Sequence, residues 1–515
     1  MTECNQEAFA FTAHFSRRVE AGFTAGQVSS DGGALLLREV DRKINLLGRL
    51  ACSFVDGRSA LLVQHQLPQM LSQRIFGLAL GYEDLCDHEQ LRSDPLLALL
   101  SGKRDLDKPL AGKSTLNRLE LVGRTGRYHK ISYSAESVDR LLGELFLESH
   151  RSVPEQVVLD LDATDIPLYG HQPERFFHGY YGSYCYLPLY IFAGDQLLAA
   201  RLRPANQDAA AGAVEEVNRI VAQLRQRWPQ TRIVLRADSG FCREELMGWC
   251  EANQVDYLFG LARNQRLQKI IGAQMQQARV LHQSTAKAAR VFTSFAYKTR
   301  HSWSCARRVV AKAEYLDKGE NPRFVVTSLT SEQWPDQALY EKFYCARGEM
   351  ENRIKEQMCL FADRLSTDEM KGNQLRLYFS ALAYTLMERC ADWASMAQSG
   401  PRPRSIRSVS SCSRSVSSCA SACAALCSSS TRPIPGKTSS HKPSTPCAVE
   451  TPCRRPTTLP PWPIPPAGRS HAKTTPINNK QRVTRQKLPR PVNPITQKHS
   501  NRLSALSNVS QNQGW

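Results

Sequence analysis

The sequence has no apolar run long enough to cross a membrane. The longest run, YLPLYIFAG at 186–194, has nine residues, whereas a spanning helix needs about 20. The N-terminal segment MTECNQEAFAFTAHFSRR also lacks the apolar stretch of a secretory signal. These absences predict a soluble, cytoplasmic protein without a membrane partner.

Two common site motifs are missing as well. The 16 cysteines include no pair at the Cys-x2-Cys spacing of zinc and redox sites, so we expect reduced thiols. The segment AGKST (111–115) resembles part of a phosphate-binding loop, but Asp107 stands where that loop requires glycine. A helix start capped by Ser114 or Thr115 is expected there instead.

Acidic residues are almost absent from the last part of the chain. Residues 397–515 contain 18 Lys and Arg but one acid, Glu450, and so carry +17 of the overall net charge of +19. Residues 1–396 are nearly neutral, at +2. The basic segment is rich in Ser, Pro and Thr and poor in large apolar residues, so it cannot offset its chain entropy by burial. We predict a disordered, low-complexity tail.

The composition changes abruptly around Ser399, and three origins of the tail stay open. A natural basic arm is one of them. A shifted reading frame is favoured, because six cysteines fall in the tail and the change directly follows a well-patterned helix. A fusion of unrelated coding sequence is the third.

The spacing of apolar residues before the tail indicates the fold class. Helical spacing predicts N-terminal helices at 29–44, 59–81 and 137–150. Alternation then predicts strands at 156–164, 186–194, 196–204, 232–241 and 256–262. Two helices, at 211–228 and 243–253, are predicted among these strands. Strand-like stretches at 290–316 and 323–329 and helices at 338–360 and 371–393 follow. This order predicts an α/β protein with a mixed sheet flanked by helices.

Acidic residues stand at two of the predicted strands. Asp160 and Asp162 in VLDLDAT are two residues apart and share one face of a strand. Two buried carboxylates on one face are costly unless they are ligated or paired. Asp238 ends the apolar strand IVLRAD, at the edge where α/β sheets place their sites. Solvated acids on an edge strand and a helix N-cap are the structural alternatives.

A third acid lies on a predicted helix. At about 100° per residue, Tyr344, Arg347, Glu351 and Lys355 fall within roughly an 80° arc of one helix face. The alternative is a ladder of ion pairs on a solvated face.

A two-metal site for phosphodiester cleavage would require acids from all three segments. Two Mg²⁺ ions about 3.5–4 Å apart activate a nucleophile and stabilise the leaving oxygen. Magnesium takes few carboxylates and leaves room for water and phosphate. Asp162, Asp238 and Glu351, on two strands and a helix, match that requirement.

These segments resemble the three acidic motifs of DDE-type bacterial insertion-sequence transposases, in the branch with a Tyr-Arg-Glu-Lys signature. The motifs are VLDLDAT, LRADSGF and Tyr344-x2-Arg347-x3-Glu351. The segments SSDGGALLLREVD (29–41) and LAGKSTLNRLE (110–120) are similar to one family of that branch, insertion-sequence family 1380.

The resemblance covers about residues 10 to 395 and departs from the signature at one position. Met358 stands where the signature has lysine, and Lys355 on the same arc is the substitute.

The resemblance implies a ribonuclease-H-like fold in five parts. Residues 1–150 are a mainly helical region for binding DNA ends, 151–270 and 331–396 form the catalytic core, 271–330 are a β-rich insertion domain, and 397–515 are the tail.

The implied activity is metal-dependent cleavage and strand transfer of DNA at terminal inverted repeats, by a homodimer that pairs the two ends. Two Mg²⁺ or Mn²⁺ ions are held by Asp162, Asp238 and Glu351, with Asp160 as the fallback for the first ligand.

Four further residues are implied to contact DNA. Tyr344, Arg347 and Lys355 bind phosphate near the scissile bond. Trp303 in the insertion stacks on a flipped base, although packing within a small sheet is the favoured alternative.

Two competing functions remain at this stage. One is a ribonuclease-H-like nuclease that does not join strands. The other is a catalytically disabled DNA-binding remnant, whose local basic patch consists of Arg300, Arg307, Arg308 and Lys312.

Overall fold

A computed structural model of the chain describes residues 8–22, 31–106, 108–122 and 129–397. The predicted tail, apart from Ala397, lies outside these residues. Sixteen strands are described: β1 Ala8–His14, β2 Arg17–Gly22, β3 Phe54–Asp56, β4 Ile131–Tyr133, β5 Gln156–Ala163, β6 Ile166–Pro167, β7 Phe176–His178, β8 Ser183–Tyr186, β9 Leu189–Ala193, β10 Gln196–Arg201, β11 Arg232–Ala237, β12 Asp256–Leu261, β13 Ala289–Tyr297, β14 Arg307–Leu316, β15 Gly319–Glu320 and β16 Arg323–Thr327.

The described helices lie before, between and after these strands. They are α1 Ala34–Ile44, α2 Leu46–Ala51, α3 Leu67–Ala79, α4 His88–Leu91, α5 Pro95–Leu100, α6 Lys113–Glu120, α7 Ala135–Ser149, α8 Ala213–Arg227, α9 Glu244–Ala252, α10 Gln265–Ile270, α11 Gly272–Thr285, α12 Asp336–Ala338, α13 Gly348–Met358 and α14 Met370–Ala397. A π-helical turn, Leu339–Tyr344, and a 3-10 turn, Cys345–Arg347, join α12 to α13.

One mixed sheet forms the centre of the described part of the chain. Its strand order is β10-β9-β5-β11-β12-β16-β14-β13, with β15 paired to β14. Strands β5, β11 and β12 are parallel, and the other neighbours are antiparallel. The predicted mixed sheet with flanking helices is confirmed.

The alternation along β5 assigns its residues to two layers. Leu159 and Leu161 pack with apolar residues of α8 and α9 on one face. Val158 packs on the other face, against the π-helical turn. Because side chains alternate along a strand, Asp160 and Asp162 also lie on the face of the π-helical turn.

The predicted β-rich insertion, 271–330, is joined to the central sheet. Strand β16 pairs with β12, and β14 and β13 continue the same sheet outward. The segment begins with a helix, α11, that the sequence analysis missed. That helix buries only Met275 and Ala278, so its apolar pattern is weak.

Other short elements also escaped the sequence analysis. The hairpin β1–β2, the pair β3–β4 and the three-stranded sheet β6–β8–β7 have strands of two to seven residues. Such strands are too short for an alternating pattern to stand out. Helix α6 does begin in AGKST, but its N-cap is Gly112 without a side-chain cap, so the predicted capping by Ser114 or Thr115 is wrong.

The described part of the chain bears on two expectations, about membrane-spanning helices and about disulfide bonds. None of its helices is long and apolar enough to span a membrane. The nine cysteines in this part are all free thiols.

A buried ion-pair triad fixes the N-terminal helices to α14. Glu120 at the end of α6 is fully buried and accepts from Arg74 of α3 at 2.6 Å and from Arg376 of α14 at 2.7 Å. Burial raises the pKa of Glu120, but the two guanidinium groups lower it more, and the net shift is downward. The carboxylate therefore stays charged inside the protein.

Replacing Glu120 tests how much this triad stabilises the fold. Glu120→Gln is expected to lower the free energy of unfolding by about 3–5 kcal/mol, because buried Arg74 loses its counter-charge. Glu148→Gln is the matched control, since Glu148 pairs with Arg49 at the surface, where such a pair contributes about 1 kcal/mol or less. Urea denaturation followed by tryptophan fluorescence measures both, and equal losses would contradict the account.

Candidate active site

Asp162 and Asp238 lie side by side at the carboxyl edge of the parallel strands. In the register of β5 and β11, Leu161 lies opposite Ala237. Asp162 follows Leu161, and Asp238 follows Ala237, so the two acids are next in this register. Asp238 also accepts from the Gly240 N–H at 2.8 Å, so it caps the turn that follows β11. The predicted cap of the next helix is not present, because Asp238 caps only the 3-10 turn Ser239–Phe241 and the N-cap of α9 is Arg243. Capping this turn is compatible with a place at the site.

Helix α13 places Glu351 over the same edge. Its inner face buries Met350 and Ile354 against the core shared with the N-terminal helices and α14. Arg353 anchors the helix through an ion pair with Asp195, in the turn between β9 and β10, with Nε and Oδ1 2.9 Å apart. These contacts leave Glu351 on the side facing the strand ends, with half of its side chain exposed.

One guanidinium connects the acids of the site. Arg347 Nη1 donates to Asp162 Oδ2 at 3.2 Å, and Nη2 donates to Glu351 Oε1 at 2.9 Å. Burial lowers the pKa of Arg347, but the charges of Asp162, Asp238 and Glu351 raise it above its usual value. Arg347 is thus a permanent cation that bonds to two carboxylates and feels the charge of a third.

The predicted ion-pair ladder is only partly present. Arg347 and Glu351 do pair at i,i+4, but Arg347 reaches past the helix to a strand 185 residues earlier. This is a cross-element contact, whereas a solvated ladder would stay on one helix. Lys355 lies one turn further along α13 and is exposed.

Asp162 sits in an unfavourable electrostatic position for a carboxylate. Burial raises the pKa of Asp162 to about 6, Asp238 and Glu351 contribute to the rise, and Arg347 opposes it. A carboxylate whose charged form is disfavoured in this way calls for an additional cation.

Tyr344 lies close to the acids because Gly260, which has no side chain, leaves room for its hydroxyl. A Cβ on Gly260 of β12 would lie 2.6 Å from the Tyr344 hydroxyl and 2.8 Å from the Ser239 nitrogen, so any larger residue there would displace them. Burial raises the pKa of Tyr344, and the charge of Asp238 raises it further, while Arg347 lowers it. The ring is therefore a neutral phenol beside Asp238 and Arg347.

Asp160, the fallback ligand, has a different partner. Arg236 of β11 donates to both of its oxygens, at 2.6 and 2.7 Å, and also to the Phe343 carbonyl at 2.6 Å. All of these groups are buried. The pair ties β5 and β11 to the π-helical turn that leads to Arg347. Arg236 was a signal the sequence analysis overlooked, because a charged residue inside the apolar strand IVLRAD requires a buried partner.

The structure contradicts the base-stacking role of Trp303. Its side chain is 6% exposed, edge-on to Tyr297 at 5.7 Å and beneath the Arg307 guanidinium at 5.6 Å. The favoured alternative, a packed ring, is correct.

The basic patch expected near residues 300–312 is largely neutralised. Three of its four cations are paired with acids: Arg307 with Glu244 and Glu251, Arg308 with Asp336, and Lys312 with Glu314. Arg300, the fourth cation of this set, lies exposed.

The carboxylates as they stand do not form a closed metal cage. Among the described residues, no three His, Cys, Asp or Glu side chains are close enough together to hold a metal ion. Instead, Arg347 lies between the acids. The donor set nevertheless fits Mg²⁺ or Mn²⁺, because it consists of hard carboxylate oxygens that already share one cation.

Paired substitutions on β5 separate the structural acid from the functional one. Asp160→Asn is expected to lower the free energy of unfolding by about 3 kcal/mol or more, because it leaves buried Arg236 without its charge partner. Asp162→Asn is expected to change the free energy of unfolding by no more than about 1 kcal/mol without metal. The reason is that burial already disfavours the negative charge of Asp162. Denaturation in EDTA compares the two, and an equal loss in both would contradict this division.

Comparison with known proteins gives a family match. No curated protein matches the chain. The family model for transposase DDE domain group 1 matches residues 11–408, a range that includes the N-terminal helices, the sheet and all three acidic segments. DDE transposases are nucleotidyl-transferases that act on DNA and generally use divalent metals. Because the match covers well over half of the 515 residues, the chain belongs to the transposase DDE domain group 1 family.

Proposed function

We propose that the protein cleaves DNA at the terminal inverted repeats of an insertion sequence and joins the freed ends to a target, using two Mg²⁺ or Mn²⁺ ions. The observation that carries this proposal is that Arg347 bonds to both Asp162 and Glu351, while the register of β5 and β11 brings Asp238 beside Asp162. The acids come from two parallel strands and a helix, the arrangement expected for two-metal phosphoryl transfer.

In this proposal Asp162, Asp238 and Glu351 hold the metals. The ions would lower the pKa of a nucleophilic water or hydroxyl and stabilise the leaving oxygen. Asp162 is preferred to Asp160 as the first ligand, because both oxygens of Asp160 are already bonded to Arg236.

Arg347 has two successive partners in this account. Without metal, its guanidinium supplies the positive charge that the acids need. With these acids holding metal, the guanidinium would be available to bind a phosphate oxygen, for which its planar fork is well shaped. Tyr344, beside it, would donate a hydrogen bond from its phenol hydroxyl to phosphate. Exposed Lys355 would contribute a second positive charge.

Each part of the chain would have its own role. The strands β10, β9, β5, β11 and β12 with their helices would form a ribonuclease-H-like core in residues 151–270 and 331–396. Residues 1–150 would bind the DNA ends, and 271–330 would be the insertion of the Tyr-Arg-Glu-Lys branch, family 1380. Pairing of two ends would require a homodimer acting on DNA in the cytoplasm.

Strand cleavage and joining test the proposal directly. The full chain is incubated with Mg²⁺ and a duplex carrying the element's own ends, and products are resolved on denaturing gels. Native protein is expected to nick and join, whereas Glu351→Gln should lose at least about 100-fold in rate, as removal of a group that stabilises transition-state charge does. Glu349→Gln, on the same helix and half exposed, is the matched control and should keep the rate.

The products also separate the alternatives. Cleavage without joining would replace the proposal by a nuclease, and binding without cleavage would indicate a disabled remnant. A fragment ending at residue 408, where the family match ends, tests whether the tail is needed.

Metal binding in the absence of DNA tests the role of Arg347. Arg347→Gln is expected to bind Mn²⁺ about tenfold more tightly than the native chain, because the ion no longer competes with a charged hydrogen bond of about 1.5–3 kcal/mol. The same variant should cleave DNA more slowly, since it loses its phosphate contact. Isothermal titration measures the affinity, with Lys355→Gln as the control. Unchanged or weaker Mn²⁺ binding by Arg347→Gln would contradict this role.

A further inference from the structure

Residues 165–186, here called the aromatic hairpin, carry an unusual density of rings. They contain seven of the chain's 41 Phe, Tyr and Trp residues. Among the residues whose burial the structure describes, six aromatic side chains are exposed, and five of them belong to this segment: Tyr169, Phe176, Phe177, Tyr180 and Tyr184. Exposed rings are costly in water, so a cluster of them indicates a binding surface.

The aromatic hairpin adjoins the carboxylates. It begins three residues after Asp162, and β6 is the next strand after β5. The Tyr181 hydroxyl donates to the Ala163 carbonyl at 3.5 Å. Burial raises the pKa of Tyr181, and the negative charges of Asp165, Asp162 and Asp238 raise it further. Tyr181 therefore marks the inner end of the surface, beside the acids.

The turn between β7 and β8 directs one ring outward. The Gly182 N–H donates to the His178 carbonyl at 2.8 Å, and Gly182 has a φ of 66°, which favours glycine. At the tip of this turn Tyr180 is 86% exposed. Its ring stands perpendicular to that of Tyr181 with centroids 5.0 Å apart. The contacting rings of Tyr181 and Tyr180 thus lead from Ala163, the residue after Asp162, to solvent.

A second pair of rings lies on the strands of the hairpin. Phe177 and Tyr184 meet edge to face at 5.6 Å. The Arg175 guanidinium stacks over Tyr184 at 4.7 Å. The surface therefore combines flat rings, phenol hydroxyls and a planar cation, which are the groups that hold single-stranded nucleic acids.

We propose that the aromatic hairpin binds unpaired bases of the DNA strand next to the scissile phosphate, with Tyr180 as the principal stacking ring. This inference rests on the proposed function, because it takes the carboxylates as the position of that phosphate. Bases within a duplex are already stacked on each other, so a free ring face is offered only by unpaired bases. Aromatic rings also occur in protein interfaces, but their position beside the acids favours the substrate.

Binding without cleavage tests the proposal. The full chain, with Ca²⁺ in place of Mg²⁺, is titrated into two labelled DNAs that carry the same end, one fully paired and one with three unpaired bases at the cleavage point. Tyr180→Ala is expected to weaken binding of the unpaired DNA by about tenfold and to leave the paired duplex unaffected. Tyr180→Phe keeps the ring and should bind as the native chain does.

A fluorescent base reports stacking separately from affinity. 2-Aminopurine at an unpaired position should be quenched by the native chain and by Tyr180→Phe, but not by Tyr180→Ala. Val153→Ala is the control, because Val153 is an exposed apolar residue beyond the opposite end of β5. It should match the native chain in both assays.

The other outcomes overturn the inference in distinguishable ways. If Tyr180→Ala binds and quenches like the native chain while Glu351→Gln still abolishes cleavage, this inference falls and the proposed function stands. If Tyr180→Ala alters only the assembly state in light scattering, the surface is an interface between copies. If the native chain binds neither DNA, both proposals fall.

Discussion

The shared guanidinium of Arg347 is the interaction on which the site depends. Three carboxylates near one another repel, and the cost increases as they are buried. Arg347 offsets that repulsion by bonding to Asp162 and Glu351, and the charge of Asp238 also stabilises the guanidinium. It allows the protein to fold with Asp162 and Glu351 on either side of one cation. The same arrangement means that a bound metal must compete with a charge the chain supplies itself.

The rest of the fold holds the partners of Arg347 in place. Parallel pairing of β5 and β11 brings Asp162 and Asp238 to one edge. The buried Asp160–Arg236 pair locks those strands to the π-helical turn through the Phe343 carbonyl. That turn leads directly into Arg347, and π-helical turns often occur at functional sites. A structural ion pair thus lies immediately behind the functional one.

Sequence patterns predicted the parts of this site that depend on local geometry. Alternation along β5 placed Asp160 and Asp162 on one face, and helical spacing placed Arg347 and Glu351 together. Patterns could not show which acid is paired internally, because the Asp160–Arg236 bond joins residues 76 positions apart. For the same reason, the burial of Trp303 and the joining of β13, β14 and β16 to the sheet depend on contacts between distant segments. The strands of the aromatic hairpin are too short for a detectable period.

The central claim is that the three acids hold divalent metal, and its most direct test maps the ion onto the chain. Fe²⁺ takes the place of Mg²⁺ in the full protein, and added ascorbate and peroxide generate hydroxyl radicals that cut the backbone close to the ion. Mass spectrometry identifies the cut positions. The account predicts cuts near Asp162, Asp238 and Glu351 that excess Mg²⁺ suppresses. Cuts confined to other parts of the chain, or no cuts with DNA bound, would contradict it.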